Sequence, residues 1–198
     1  MEQYRTIATP AAADYVVQRS RFHATLLPAA DLGAAQAGVR TAGALHPQAT
    51  HCCWACRVGY PDRPEQQASD AGEPGGTAGR PIMAALTRAE LWNVALVVCR
   101  YFGGIKLGVR GLIDAYGAAA DQAVAAAIVV EQQPLVTLQL TAPYRAFDTL
   151  RHRLLALGGA LGACEFAGEV RCTVQVPRAQ AACFCQEARD LGVQSEPL

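Results

Sequence analysis

The chain has 198 residues, with 17 basic and 17 acidic side chains and a formal net charge of zero. Its 39 alanines leave only about a third of the residues as bulky apolar ones out of the 52% scored hydrophobic, which suits one domain or two small ones with ordinary cores. Charged residues at 17% exclude a disordered chain or a charged tail, and the neutral balance excludes a broad electrostatic coat of nucleic acid, so any basic site must be local.

Residues 1–20 carry no apolar run after a basic start, so no targeting segment is read there and a cytoplasmic protein is expected. The short β-rich runs 15–17 and 22–27 read as strands. Residues 31–45 open on Asp31 as a helix cap and put Leu32, Ala35, Val39 and Ala42 at helical spacing. The run 50–60, with its aromatic, Cys and Val residues before a Pro-Asp turn, reads as a central strand. Residues 61–81 hold four prolines and no bulky apolar side chain, which predicts one long loop. A helix then begins at Pro81, a buried strand covers NVALVVCRYF, and a Gly-rich turn leads to a helix over 111–130. The Ala-rich stretch 117–130, broken by Asp121 and Gln122, is too short to span a bilayer.

Gln132, Gln133 and Pro134 end that helix and mark a boundary. The following order is strand, helix, two strands, helix, strand, the βαββαβ pattern of ferredoxin-like domains. The expectation is an α+β chain of two domains, 1–132 and 135–198.

Two Gly-rich segments carry the chemistry the sequence offers. The first, SDAGEPGGTAGRP, joins flexible turns to Asp70, Glu73, Thr77 and Arg80. The second, RYFGGIKLGVRG, lies between strand and helix, so Gly103, Gly104 and Gly108 accompany helix N–H donors beside Arg100, Lys106 and Arg110. Phosphate or phosphodiester is the ligand class that suits them. Equally open is a purely structural reading, in which the glycines make tight turns and Asp70 and Glu73 pair with the arginines. Lys106 is the one lysine among the 17 cations, a bias that fits coding composition better than function.

The P-loop spacing of Gly103 and Gly108 lacks the Lys-Ser/Thr that should follow, and no G-x-G-x-x-G occurs, so no nucleotide cofactor is expected. His51, Cys52, Cys53 and Cys56 do not complete a zinc tetrad, because residues three apart on a strand point to opposite faces. Eight cysteines in a chain of this length without an export signal read as reduced, mostly buried thiols, and no metal is expected.

Ser20-Arg21-Phe22, Thr50-His51 through Ala55, Ser69-Asp70 with Gly72-Glu73-Pro74, the run Gly76 to Pro81, and Arg100 to Gly108 followed by Gly111-Leu112 and Ala115-Tyr116-Gly117 together resemble the IMPACT/YigZ family. The match runs in order over almost the whole chain. It implies an N-terminal domain folded like the second domain of ribosomal protein S five, then a ferredoxin-like domain similar to elongation factor G domain five. It also implies a role near translation. The chain departs from the family pattern at Ala71, where a second acid is common, and at Arg110, where a small residue is common.

The leading expectation is a non-catalytic module that contacts RNA, the ribosome or a translation-associated protein. Arg80, Arg100, Gly103, Gly104, Lys106, Gly108 and Arg110 would form its anion or nucleic-acid surface, with the open face of the ferredoxin-like sheet adding contacts. The alternative is a hydrolase or phosphoryl-transfer enzyme with His51, Asp70, Glu73 and Thr77 around a pocket between the loops. An adaptor that docks a protein through an apolar patch is a third reading.

Overall fold

The computed structural model describes residues 3–198, which fall into two compact units, Tyr4–Gln132 and Gln133–Leu198. The elements of the first are β1 Tyr4–Ile7, β2 Ala11–Val17, β3 Ser20–Pro28, α1 Leu32–Ala44, β4 His51–Tyr60, β5 Arg63–Ser69, α2 Gly79–Arg88, β6 Val94–Tyr101, α3 Gly108–Ala125 and β7 Val129–Gln132. Five strands make one antiparallel sheet in the order β2-β3-β6-β4-β5, while β1 pairs with β7.

Side-chain alternation divides this sheet into two faces. Phe22, Ala24 and Leu26 of β3, Cys53 and Ala55 of β4, and Val94, Leu96 and Val98 of β6 pack against α2 and α3. The intervening Cys56, Val58, Ala95, Val97 and Cys99 meet α1 on the other face. Covered on both sides, β6 is buried along nearly its whole length, which is why it reads as an unbroken apolar run. Small residues let α3 approach closely, with Ala115, Ala119, Ala120 and Ala123 buried around Tyr116. Asp31 caps α1 through its carboxylate, which accepts the Ala34 N–H at 2.8 Å.

Three sequence expectations change. Residues 61–81 are not one loop, because Arg63–Ser69 pairs with β4 as an edge strand. Its residues are almost all exposed, so an apolar pattern could not mark it, and Pro64 is tolerated because an edge strand needs donors on one side only. The helix expected over 111–130 runs over Gly108–Ala125, and the β-branched pair Val129-Val130 joins β1. Cys52 is not a free thiol: it stands opposite Cys99 in the β4–β6 register with Cα atoms 4.0 Å apart, and the two form a disulfide. Cys53 and Cys56 lie on opposite faces of β4.

The second unit comprises β8 Leu135–Ala142, α4 Tyr144–Ala156, β9 Ala160–Phe166, β10 Val170–Pro177, α5 Arg178–Asp190 and β11 Gln194–Pro197. Its antiparallel sheet has the order β11-β8-β10-β9, the ferredoxin-like arrangement. Leu138, Leu140, Cys172, Val174 and Val176 bury one face against Leu150, Leu154 and Phe184 of the helices. No helix among the described residues is long and apolar enough to cross a membrane.

The disulfide assignment makes a count. Denatured without reductant, the air-purified protein is expected to show six titratable thiols, against the full eight after reduction. Eight in both states would remove the Cys52–Cys99 bond.

Candidate functional site

The loop between β5 and α2 is held by its own polar residues. Asp70 accepts the backbone N–H groups of Gly76, Ala78 and Gly79 at 2.8, 2.9 and 2.8 Å. An internal carboxylate therefore fills the positive N-terminus of α2, where an external anion would otherwise bind. Burial by itself would raise the Asp70 pKa, but the three N–H donors and the nearby Arg80 together outweigh it and hold the carboxyl below its usual value. Thr77 donates to the Pro74 carbonyl at 2.7 Å, and His51 Nδ1 lies 2.8 Å from the Ala71 carbonyl.

Glu73 turns inward. Its Oε1 accepts both Arg100 Nη1 and the Tyr116 hydroxyl at 2.8 Å, and the side chains of Glu73 and Arg100 are only 4% and 7% exposed. Cys53 Sγ adds contacts of 2.9 Å to the Asp70 carbonyl and 3.3 Å to the Tyr116 oxygen. Burial pushes the Cys53 thiol up to about 12 and drives the Tyr116 phenol upward too, so both stay neutral donors. Arg100 is thus no solvent-facing anion contact. Its guanidinium answers Glu73 and sits between the rings of Phe22 and Phe102, at 5.6 and 5.3 Å from their centroids. Of the arrangements the sequence left open, the ion pair holds for Glu73, whereas Asp70 takes backbone N–H groups instead of an arginine.

His51, Asp70, Glu73 and Thr77 are therefore brought to one loop, yet their hydrogen bonds go to backbone groups, Arg100 and Tyr116. That arrangement gives no support to a hydrolase or phosphoryl-transfer site built on them. Arg80 is exposed at the start of α2 and lines a cleft of about 650 Å³ between α2 and β5.

The β6–α3 loop is built differently. Phe102 is 46%, Ile105 42% and Val109 61% exposed, and Lys106 and Arg110 also face solvent. Among the described residues no side chain caps the first turn of α3. Gly104 and Gly108 take left-handed φ values of 87° and 72°. At Gly103 an added Cβ would collide with the Arg19 carbonyl, so the β2–β3 turn lies directly against this loop. Arg110 pairs with Asp114 one turn later, at 3.2 Å, which lowers the local charge that 100–110 suggests on paper.

Sequence reading missed Arg19 and Arg21, because only the Gly103 contact and the β3–β6 register bring the hairpin beside the loop. It also missed buried Arg57, which donates to the Leu86 carbonyl in the last turn of α2 and to the Leu91 carbonyl beyond it, and stacks 4.0 Å from the Trp92 ring. A guanidinium on a strand carries no sequence mark of such a role. On the second unit, the sheet face away from the helices presents Gln139, Arg171 and Gln175 and no aromatic ring, with Arg171 opposite Glu165. That face therefore offers polar side chains, and no ring for a base to stack on, to the contacts expected of it.

A family model, the Impact N-terminal domain, matches residues 18–124. The chain is 34% identical over 198 residues to "IMPACT family member YigZ" of Escherichia coli (strain K12), covering 96% of this chain and 94% of that protein. It is 34% identical over 154 residues to "IMPACT family member YvyE" of Bacillus subtilis (strain 168), covering 78% and 70%. A crystal structure described as that of an hypothetical protein superimposes with a TM-score of 0.76 at 31% identity, covering 100% of this chain and 98% of the other.

Two outcomes follow from the loop geometry. Replacing Glu73 with Gln leaves a buried guanidinium without its counter-charge and is expected to cost about 3–5 kcal/mol in urea unfolding; a loss under about 1 kcal/mol would show that the pair is not what holds the loop. For Asp70, the depressed folded-state pKa means that the unfolded chain binds more protons just below pH 5, so stability conferred by this carboxylate is present above its ordinary value of 3.8 and falls as pH drops through the lower folded value. Asp70→Asn should lower stability at pH 7 by about 1–2 kcal/mol and flatten the stability profile between about pH 5 and pH 2; an unchanged acid slope would contradict it.

Proposed function

The chain belongs to the IMPACT family, and from that premise we propose that its first unit binds single-stranded RNA through the β6–α3 loop and the adjoining β2–β3 turn, in a translation-associated role. The observation that carries the reading is the contrast between two helix starts. Asp70 occupies that of α2, while the N–H groups opening α3 have no side-chain partner among the described residues and stand beside Lys106 and Arg110. A phosphate is the anion such a turn suits, being held by N–H donors and neighbouring cations at once.

Exposed Phe102, Ile105 and Val109 favour RNA over a bare anion. Single-stranded bases stack on exposed rings while phosphates follow the cations, a division of labour that tolerates any sequence. Arg19, in the neighbouring β2–β3 turn, extends the cationic side of the surface. The translation role draws on the family resemblance, and a ribosomal or protein partner is the competing outcome of the test.

In filter binding with an unstructured oligoribonucleotide, affinity is expected to fall linearly with log salt. Lys106→Ala should weaken binding and lower the salt slope by about one. Phe102→Ala should cost about 1–3 kcal/mol, the contribution of one stacked base. Binding that ignores both salt and Lys106→Ala would overturn the reading, as would ribosome association that persists after RNA is digested.

A further inference from the structure

On the opposite face of the same sheet, beyond the reach of α1, five polar side chains meet. Asp14 comes from β2, Arg21 and His23 from β3, Tyr101 from β6, and His46 from just past the end of α1. His23 Nδ1 lies 3.0 Å from Asp14 Oδ1, and Arg21 Nε lies 3.5 Å from the same oxygen. His46 Nδ1 lies 2.7 Å from the Tyr101 hydroxyl. The two imidazole rings are 4.6 Å apart between centroids, and the Arg21 guanidinium is 5.1 Å from the Tyr101 ring. No part of the β6–α3 or β5–α2 loop reading uses this cluster.

From this geometry we propose that Arg21, His23, His46 and Tyr101 form a phosphate-class oxyanion site whose occupancy is coupled to protonation of His46. Both Nδ1 atoms are engaged within the cluster, whereas neither Nε2 has a hydrogen-bond partner among the described residues. Each imidazolium would thus present one outward N–H, next to a guanidinium and a phenolic hydroxyl, a donor set that matches a tetrahedral oxyanion. With both imidazoles neutral, Arg21 and Asp14 cancel. Each proton taken up then adds a positive charge that no further carboxylate in the cluster balances, and Asp14 is already held by His23 and Arg21.

A cation would meet Arg21, and among the described residues no group of three or more His, Cys, Asp or Glu side chains could hold a metal ion. The groups facing His46 are Asp14 from β2, Arg21 and His23 from β3, and Tyr101 from β6. Burial first, then the charges of His23 and Arg21, push the His46 pKa below its ordinary value, with Asp14 opposing. An oxyanion on the outward N–H groups reverses the repulsion from those two cations. By linkage, the factor by which the anion tightens the proton is the factor by which the proton tightens the anion.

The test follows His46 ring resonances by NMR between pH 5 and pH 8, with and without sulfate, which remains a dianion throughout. Saturating sulfate is expected to raise the His46 pKa by about one unit, and sulfate affinity is expected to rise about tenfold from pH 8 to pH 5.5. Arg21→Gln, a change at a half-exposed side chain, should remove the response while leaving the amide spectrum folded. Lys106→Ala should leave it intact, which separates this site from the α3 turn. A phosphomonoester such as uridine 5′-phosphate displacing sulfate at lower concentration would identify a phosphoryl group on a larger molecule as the source; sulfate or phosphate binding without such displacement would identify the free ion, and either supports the site. An unshifted His46 pKa, a response reproduced by chloride at equal ionic strength, one that survives Arg21→Gln, or one abolished by Lys106→Ala would overturn it.

Discussion

The Glu73 carboxylate, buried between Arg100 and Tyr116, ties the Gly-rich loop, the central strand β6 and the helix α3 to one atom, its Oε1. Removing two charges from water costs several kcal/mol for each, and their attraction repays this only when geometry and additional hydrogen bonds are good. The Tyr116 hydroxyl supplies one such bond, and Phe22 and Phe102 flank the guanidinium on its apolar sides. The pair therefore contributes less to net stability than to uniqueness of position. With Glu73 fixed, the loop from Asp70 to Ala78 has one place to go, and its three glycines serve turns instead of mobility.

The second constraint is electrostatic and follows from the first. With Glu73 anchoring the loop, Asp70 is delivered to the start of α2, where it takes the Ala78 and Gly79 N–H groups that a helix leaves unsatisfied, together with the Gly76 N–H of the loop. The chain thus brings its own anion to one helix terminus and leaves the other, at Gly108, without one. Both termini sit at the ends of Gly-rich segments that look alike in composition. They differ because one segment contains a carboxylate within reach of the helix and the other contains none before Asp114, which turns to Arg110.

Much of this was legible from residue pattern alone, and the failures have a common cause. Asp31 as a cap and the buried run of β6 are local signals, each written within one element, and the βαββαβ order is a succession of such signals. Strand β5, the Cys52–Cys99 bond and the meeting of Arg19 with Gly103 depend on which strands are neighbours and in what register. Nothing within Arg63–Ser69 announces a strand, since an exposed edge needs no apolar alternation. Arg100 shows the same limit from the other side. Counted along the chain it belongs with Lys106 and Arg110, but its even position on β6 turns it into the α2–α3 face, while Tyr101 beside it turns out to the opposite one.

That parity also organises the charge. A formal total of zero hides a sorting in which the first unit's buried carboxylate is matched inside by Arg100, and buried Arg57 donates through Nη1 to the Leu86 and Leu91 carbonyls and stacks on an indole ring. Two groups of the exposed cations stand on different faces. Lys106 and Arg110 flank α3 on one, and Arg21 stands with the paired imidazoles on the other, linked through the β2–β3 hairpin whose turn rests on Gly103. Because successive residues of β3 and β6 feed alternate faces, the hairpin that supports the α3 turn also carries the imidazole cluster. A displacement of that hairpin would be felt on both sides of the sheet, whereas the open sheet face of the second unit, with Arg171 set opposite Glu165, has neither the rings nor the unbalanced charge to compete for the same class of ligand.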